Sequence, residues 1–186
     1  MDNKAQVSSP FELLVAIIIM AFVVIIGANM LAGVNEQVCL SNIDKALTDF
    51  KLKLEDTASY RTSNKFLFSL NTNSCFNERE AIITIEKYEN AKKCGAICQG
   101  KTTDSCFVLV FNASDLANGA RNKCLNLPVY TSFVGPDDCS TADPSLSGFE
   151  PIIPTNSGQM LNSGTYILRN IAPAGKTYPV ICTYRK

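Results

Sequence analysis

Leu13 to Ala28 contains no polar residue, and Asn29 is the only one before Asn35. No other feature limits the chain as much. About 20 apolar residues carry a helix across a bilayer core. A cleavable secretory signal has a shorter apolar core, about 7–15 residues, followed by a small-x-small cut site. Here Met30 and Ile26 occupy the positions two before Ala32 and Ala28, so no such site follows. The segment reads as an anchor that stays on the mature protein. Lys4 is the only base ahead of it and Asp2 offsets it, so flanking charge orients it only weakly.

Ser9-Pro10-Phe11-Glu12 predicts the helix start. Ser9 would be the N-cap. Pro10 would sit where its missing N–H loses no bond, and Glu12 would complete a capping box. Glu12 has a second reading, as a charge that sets register when such helices pack side by side. After Asn35-Glu36-Gln37, apolar residues recur at Leu40, Ile43, Leu47, Phe50 and Leu54, the stripe of an amphipathic helix. Charged residues mostly fill the other faces, with Asp49 and Lys53 at i,i+4. No proline falls between Phe11 and Leu127, so one helix from Pro10 to Ala58 is predicted. It would be roughly 70 Å long. Its first half is apolar all round. Its second half must lie against something, and the chain's own C-terminal domain is preferred over a coiled-coil partner.

Eight cysteines, Cys39, Cys75, Cys94, Cys98, Cys106, Cys124, Cys139 and Cys182, all follow the apolar segment. An even number beyond a membrane segment predicts a disulfide framework in an oxidising space. The alternative is a cysteine zinc site at Cys94, Cys98 and Cys106, but the spacing is not CxxC and no second pair mirrors it. Neither metal nor cofactor is expected. The chain has no histidine, which removes Ser-His-Asp and Cys-His nucleophilic sites, and nothing nominates another catalytic set. Seventeen basic and seventeen acidic residues give no nucleic-acid footprint.

Beyond the helix the period changes to two. Strands are predicted around Phe66–Leu70, over Ala81 to Tyr88 and Cys106 to Phe111, and at Leu127 to Val134, Thr165 to Ile171 and Tyr178 to Tyr184. Seven of the eight prolines lie between Pro128 and Pro179, which favours edge strands and long loops, with one such loop from Pro136 to Pro154 around Cys139. Asn112-Ala113-Ser114 is a glycosylation sequon. The predicted fold class is α+β: a hydrophobic-then-amphipathic helix followed by a disulfide-bonded, antiparallel β-rich head.

Lys4-Ala5-Gln6 followed by Ser8, then Glu12 and a helix of Leu, Ile, Val and Ala, resembles the class III signal peptide of archaeal type IV pilins and archaellum-like filament subunits. The resemblance covers roughly the first 58 residues. It implies residues 1–5 as a signal peptide, 6–34 as a membrane and filament-core helix, 35–58 as its amphipathic continuation, and 59–186 as an extracellular head. It also implies cleavage between Ala5 and Gln6 by a prepilin peptidase, extraction by an assembly platform, and helix packing with other subunits. Glu12 lies six residues after Gln6, where the family places its glutamate four after.

Three functional classes follow. The preferred one is a pilin-like structural subunit of a surface filament, serving adhesion or surface contact. The second is a monomeric, single-span protein whose extracellular head binds a ligand. The third, least favoured, is a tethered thiol oxidoreductase at Cys94 and Cys98, for which the sequence offers no electropositive helix start.

Overall fold

The structure is a computed structural model. It describes residues 8–60, 62–70, 81–99, 104–113, 120–139, 143–155, 161–173 and 177–186, with side chains left undescribed at 8, 9, 31–33, 35 and 36. The chain divides into two compact units, Met1–Cys39 and Leu40–Lys186. Helix α1 (Ser8–Tyr60) crosses the division.

Helix α1 is described from Ser8, so Ser9 is not its N-cap and no acidic residue falls in its first turn. The capping box predicted for Ser9 and Glu12 is therefore corrected. Pro10 is still accommodated, because the first four N–H groups of a helix have no intrahelical acceptor.

In the second unit the amphipathic stripe is the centre of the core. Ile43, Leu47, Phe50 and Leu54 are all 0% exposed. The Phe50 ring meets Phe66, Phe68 and Tyr166 edge-on, with centroids 5.5, 5.4 and 6.0 Å away. Such pairs add about 0.5–1.5 kcal/mol beyond the area they bury. The predicted Asp49–Lys53 pair does not form among the described residues; Lys51 and Glu55 pair instead at 3.8 Å. Asp44 pairs with Lys123, 2.7 Å away, and the Glu55 carboxylate accepts from the Asn126 backbone N–H. This segment of the helix thus touches both sheets of its unit.

The first sheet holds β1 (Ser63–Phe68), β5 (Ser132–Phe133), β6 (Glu150–Ile152), β7 (Gly164–Asn170) and β8 (Val180–Arg185), in the order β1-β7-β8-β5 with β6 also on β8. It is antiparallel except for the β5–β8 pairing. Alternation along β7 sends Tyr166 to the helix side, while Ile167 joins Cys139, Leu146, Phe149, Cys182 and Tyr184 on the other. The sheet is therefore buried on both faces. The second sheet is β2 (Ala81–Tyr88), β3 (Cys106–Ala113) and β4 (Arg121–Leu125), antiparallel in the order β2-β3-β4. Phe107 and Phe133, 6.1 Å apart, link the two sheets. Thr155 bridges Ile85, and the Ile85 N–H donates to Pro154 O at 2.7 Å, so the chain leaving β6 covers part of the β2 edge.

Two predictions change here. Leu127 to Val134 is not one strand. The Thr131 N–H donates to Pro128 O at 2.9 Å, closing a turn that leaves only Ser132–Phe133 in the sheet. The proline-rich stretch between Pro136 and Pro154 carries a 3-10 turn, Pro144–Leu146, capped by Asp143, and then β6. Gly148, with φ of 74°, occupies the left-handed region that disfavours a side chain and lets the chain reverse between them. Pro151 lies in β6, a three-residue strand that pairs only with β8, as a missing donor requires.

Candidate assembly surface

Within α1, Pro10–Met30 is long and apolar enough to cross a membrane, with a mean hydropathy of 2.9. Ile17, Ile18, Ile19 and Met20 are consecutive and 58, 48, 58 and 73% exposed. Four consecutive residues point to every side of a helix, so this stretch has no inward face of its own. Helices apolar all round occur where lipid or other protein surrounds them. Left in water, such surface is unfavourable by about 25 cal/mol for each Å². A Cβ added at Gly27 would meet nothing within 4 Å, so no packing among the described residues explains the glycine. A glycine inside a helix is unfavourable by about 1 kcal/mol relative to alanine. Ala28 stands next to it, four residues before Ala32.

Glu12 lies in the second turn of α1 and is exposed. It makes no ion pair among the described residues. Its carboxylate is close to the helix end, where unpaired N–H groups carry partial positive charge. Lys4, Ala5 and Gln6 lie outside the described residues.

The head carries a cysteine framework. Cys94 bonds Cys106, Cys98 bonds Cys124, and Cys139 bonds Cys182. Cys39 is buried and also disulfide-bonded. Cys75 lies outside the described residues. Cys94 and Cys98 are therefore anchors for two separate bridges, and the thiolates that a redox pair or a zinc site would use are consumed. Cys94 lies in a helix that periodicity did not reveal, α2 (Ala91–Ile97), and Cys98 is its C-cap. The Asn90 side chain caps it, accepting from the backbone N–H groups of Lys92 at 3.0 Å and Lys93 at 3.2 Å. This is an electropositive helix start, which the sequence reading did not expect although Lys92 and Lys93 pointed toward it. It has no thiol to activate, since Cys94 is already oxidised.

Arg169 holds Asp143 at 3.0 Å across the loop side of the first sheet. Ser145, through its side chain first and its backbone N–H next, keeps the Asp143 carboxyl below the usual carboxylate range, with Arg169 adding a smaller effect. Burial raises the Tyr166 phenol above its ordinary value, although its oxygen accepts from the Asn162 backbone N–H at 3.1 Å. Tyr88 is raised chiefly by its hydrogen bond to Glu86. A shallow polar groove lies among Asp138, Asp143, Arg169 and Tyr184. No cluster of three His, Cys, Asp or Glu side chains suited to a metal occurs among the described residues. Asn112 is exposed on β3. No protein-family model matches the chain, and no curated protein or solved structure matches it.

Proposed function

We propose that this chain is a structural subunit of an archaeal surface filament of the type IV pilin kind, without enzymatic activity. The observation that carries the reading is a helix segment exposed and apolar on every side, in one chain with a disulfide-bonded β-rich head. In this account the chain first waits in the cell membrane by Pro10–Met30, with its head on the oxidising, extracytoplasmic side. A prepilin peptidase removes residues 1–5, cutting between Ala5 and Gln6. An assembly platform then withdraws the subunit, and its helix packs against those of other copies or related subunits. Once out of the lipid, an apolar surface of this size needs protein around it. Gly27 and Ala28 permit close helix approach. Glu12 then lies among neighbouring helices, where a cation such as a free N-terminal amine offsets its desolvation. The head, turned outward, serves adhesion or surface contact.

The test is Glu12→Ala in the producing cells. Processing at Ala5 is expected to continue, while sheared filaments containing the chain fall at least tenfold by electron microscopy and immunoblot. Normal filament yield would remove Glu12 from assembly. The polar groove at Asp143 and Arg169 favours one second reading, a monomeric, single-span, membrane-anchored extracellular binding protein. That reading predicts chain in the membrane fraction only, with no filaments in any variant.

A further inference from the structure

We infer that the open edge of β1 is a docking site for an extended segment of another protein, which adds to the five-stranded first sheet as a further antiparallel strand. The inference stands for a filament subunit and for a single anchored chain alike.

Alternation shows which edge groups are open. The Lys186 N–H donates to Thr165 O at 2.9 Å and the Ile171 N–H to Val180 O at 2.8 Å, so odd-numbered residues along β7 turn their backbone groups toward β8. Even-numbered ones turn theirs toward β1. Leu168, Tyr166 and Gly164 therefore face Asn64, Phe66 and Phe68 as the bonded pairs. The N–H and C=O groups of Ser63, Lys65 and Leu67 point away from the sheet, and none of them makes a backbone hydrogen bond among the described residues. The edge of β2 is treated differently. There the Ile85 N–H donates to Pro154 O and Ile83 O accepts from the Leu161 N–H, at 2.7 and 2.9 Å. An uncovered row of donors and acceptors like that of β1 is a template for another strand.

The flanks specify what that strand carries. Between α1 and β1 lies a groove of about 390 Å³, lined by Asp49, Leu52, Lys53, Asp56, Phe66 and Leu67. Leu52 is 55% exposed and Leu67 72%. Asn64 Nδ2 donates to Thr57 Oγ1 at 2.9 Å while Phe66 and Phe68 pack on Phe50, so Asp56 stands near the Asn64 end of the groove and Asp49 near the Phe68 end. Two carboxylates against one ammonium make the groove acidic, and neither Asp49 nor Asp56 has an ion pair among the described residues. Alternation sends Lys65 to the other face of the sheet. Its ammonium lies 5.3 Å from the centre of the Phe149 ring, with no carboxylate partner among the described residues. One added strand answers both faces: base, apolar and base at every second position along the groove, and an acid opposite Lys65. The β1 strand of a second copy does not fit. The register that bonds all three outward residues sets Lys65 against Lys65, and like charges directly opposite are destabilising.

The test is titration of the nitrogen-15-labelled full chain, oxidised and in detergent micelles, with the peptide acetyl-Lys-Val-Leu-Glu-Lys-Thr-amide. Antiparallel to β1, its glutamate faces Lys65 and its two lysines flank the leucine over the groove. The amide hydrogens of Lys65 and Leu67 are expected to gain at least tenfold protection from exchange, with Asn64 and Phe66, already turned toward β7, unchanged. Lys65→Pro removes one outward donor and spares the β7 ladder, since an edge strand accepts proline on its open side. It should weaken binding at least tenfold with the unfolding midpoint unchanged. Asp49→Lys combined with Asp56→Lys, on the helix surface, should reverse the preference toward the peptide with both lysines replaced by glutamate. No binding, or protection that does not alternate along β1, overturns the site. Equal binding of both peptides by the unaltered chain overturns the stated chemistry. Dimers in sedimentation that Lys65→Pro abolishes make the occupant a second copy and overturn the partner.

Discussion

Helix α1 contains two stretches with the same backbone and opposite surroundings. From Ile17 to Met20 every side chain is about half exposed or more, whereas Ile43, Leu47, Phe50 and Leu54 are fully buried. The first stretch is the more apolar, yet it is the one left uncovered within the chain. Burial therefore follows pattern rather than hydrophobicity. Apolar residues spaced at three and four leave polar faces for water and one stripe for the head. Apolar residues at every position leave no face that water can take, and such a helix depends on lipid or on other helices.

This contrast is sharpest in core substitutions. Phe50→Ala should lower head stability by about 3–5 kcal/mol, since it empties an aromatic site in a packed core. Ile18→Ala, in the uncovered stretch, should leave head stability unchanged. Denaturant unfolding of the full chain in detergent micelles, followed by near-ultraviolet circular dichroism, reads both. Equal effects would break the comparison.

The disulfides come next. In the chain-entropy picture a bridge stabilises more as its loop lengthens. Replacing Cys139 and Cys182 by alanine opens a separation of 43 residues, and Cys94 with Cys106 only 12. The expected losses are about 4 and about 3 kcal/mol in the same unfolding assay. The reverse order would place the weight of the head on α2 rather than on the loop facing the first sheet.

The complementary change in the apolar stretch is Ile18→Lys. It should weaken bilayer insertion by about 2.5–3.5 kcal/mol, seen as chain released by carbonate extraction, with the head still folded. The smallest expected effect belongs to Lys123→Ala, which removes the ion pair to Asp44. An exposed pair of this kind contributes about 0.2–1 kcal/mol.

The head also has a pH signature. Burial raises the folded pKa of Tyr166, so the unfolded chain ionises first as pH climbs. The unfolded state then binds fewer protons, and stability falls with rising pH. The contribution is complete below the ordinary tyrosine pKa of about 10 and is lost as pH rises through the folded value. Alkaline titration at 295 nm should show Tyr166 and Tyr184, both raised by burial, ionising together with unfolding, and Tyr166→Phe should reduce the amplitude of that phase.

Much of this was legible in the sequence, where side-chain period matched a single environment. β2 runs Ala81–Tyr88, as its β-branched alternation predicts, and the stripe from Ile43 to Leu54 is buried as its spacing requires. Strand β4 was illegible because Arg121-Asn122-Lys123 is polar. It is a strand because β3 pairs with it and Cys98 bonds Cys124. Helix α2 spans seven residues, too few for a period to show, and only its Asn90 cap marked it. Disulfide partners could not be read because pairing is set by the tertiary fold. The roles of Lys4, Ala5, Gln6 and Glu12 depend on molecules outside the chain, which neither periodicity nor packing within it can display.

The central claim is that the uncovered helix is a filament core, and the most direct test is the N-terminus of the chain recovered from sheared surface filaments. N-terminal sequencing with intact mass is predicted to find Gln6 as the first residue of a filament component. A chain that begins at Met1, and that is found only as a membrane-bound monomer, would contradict the account.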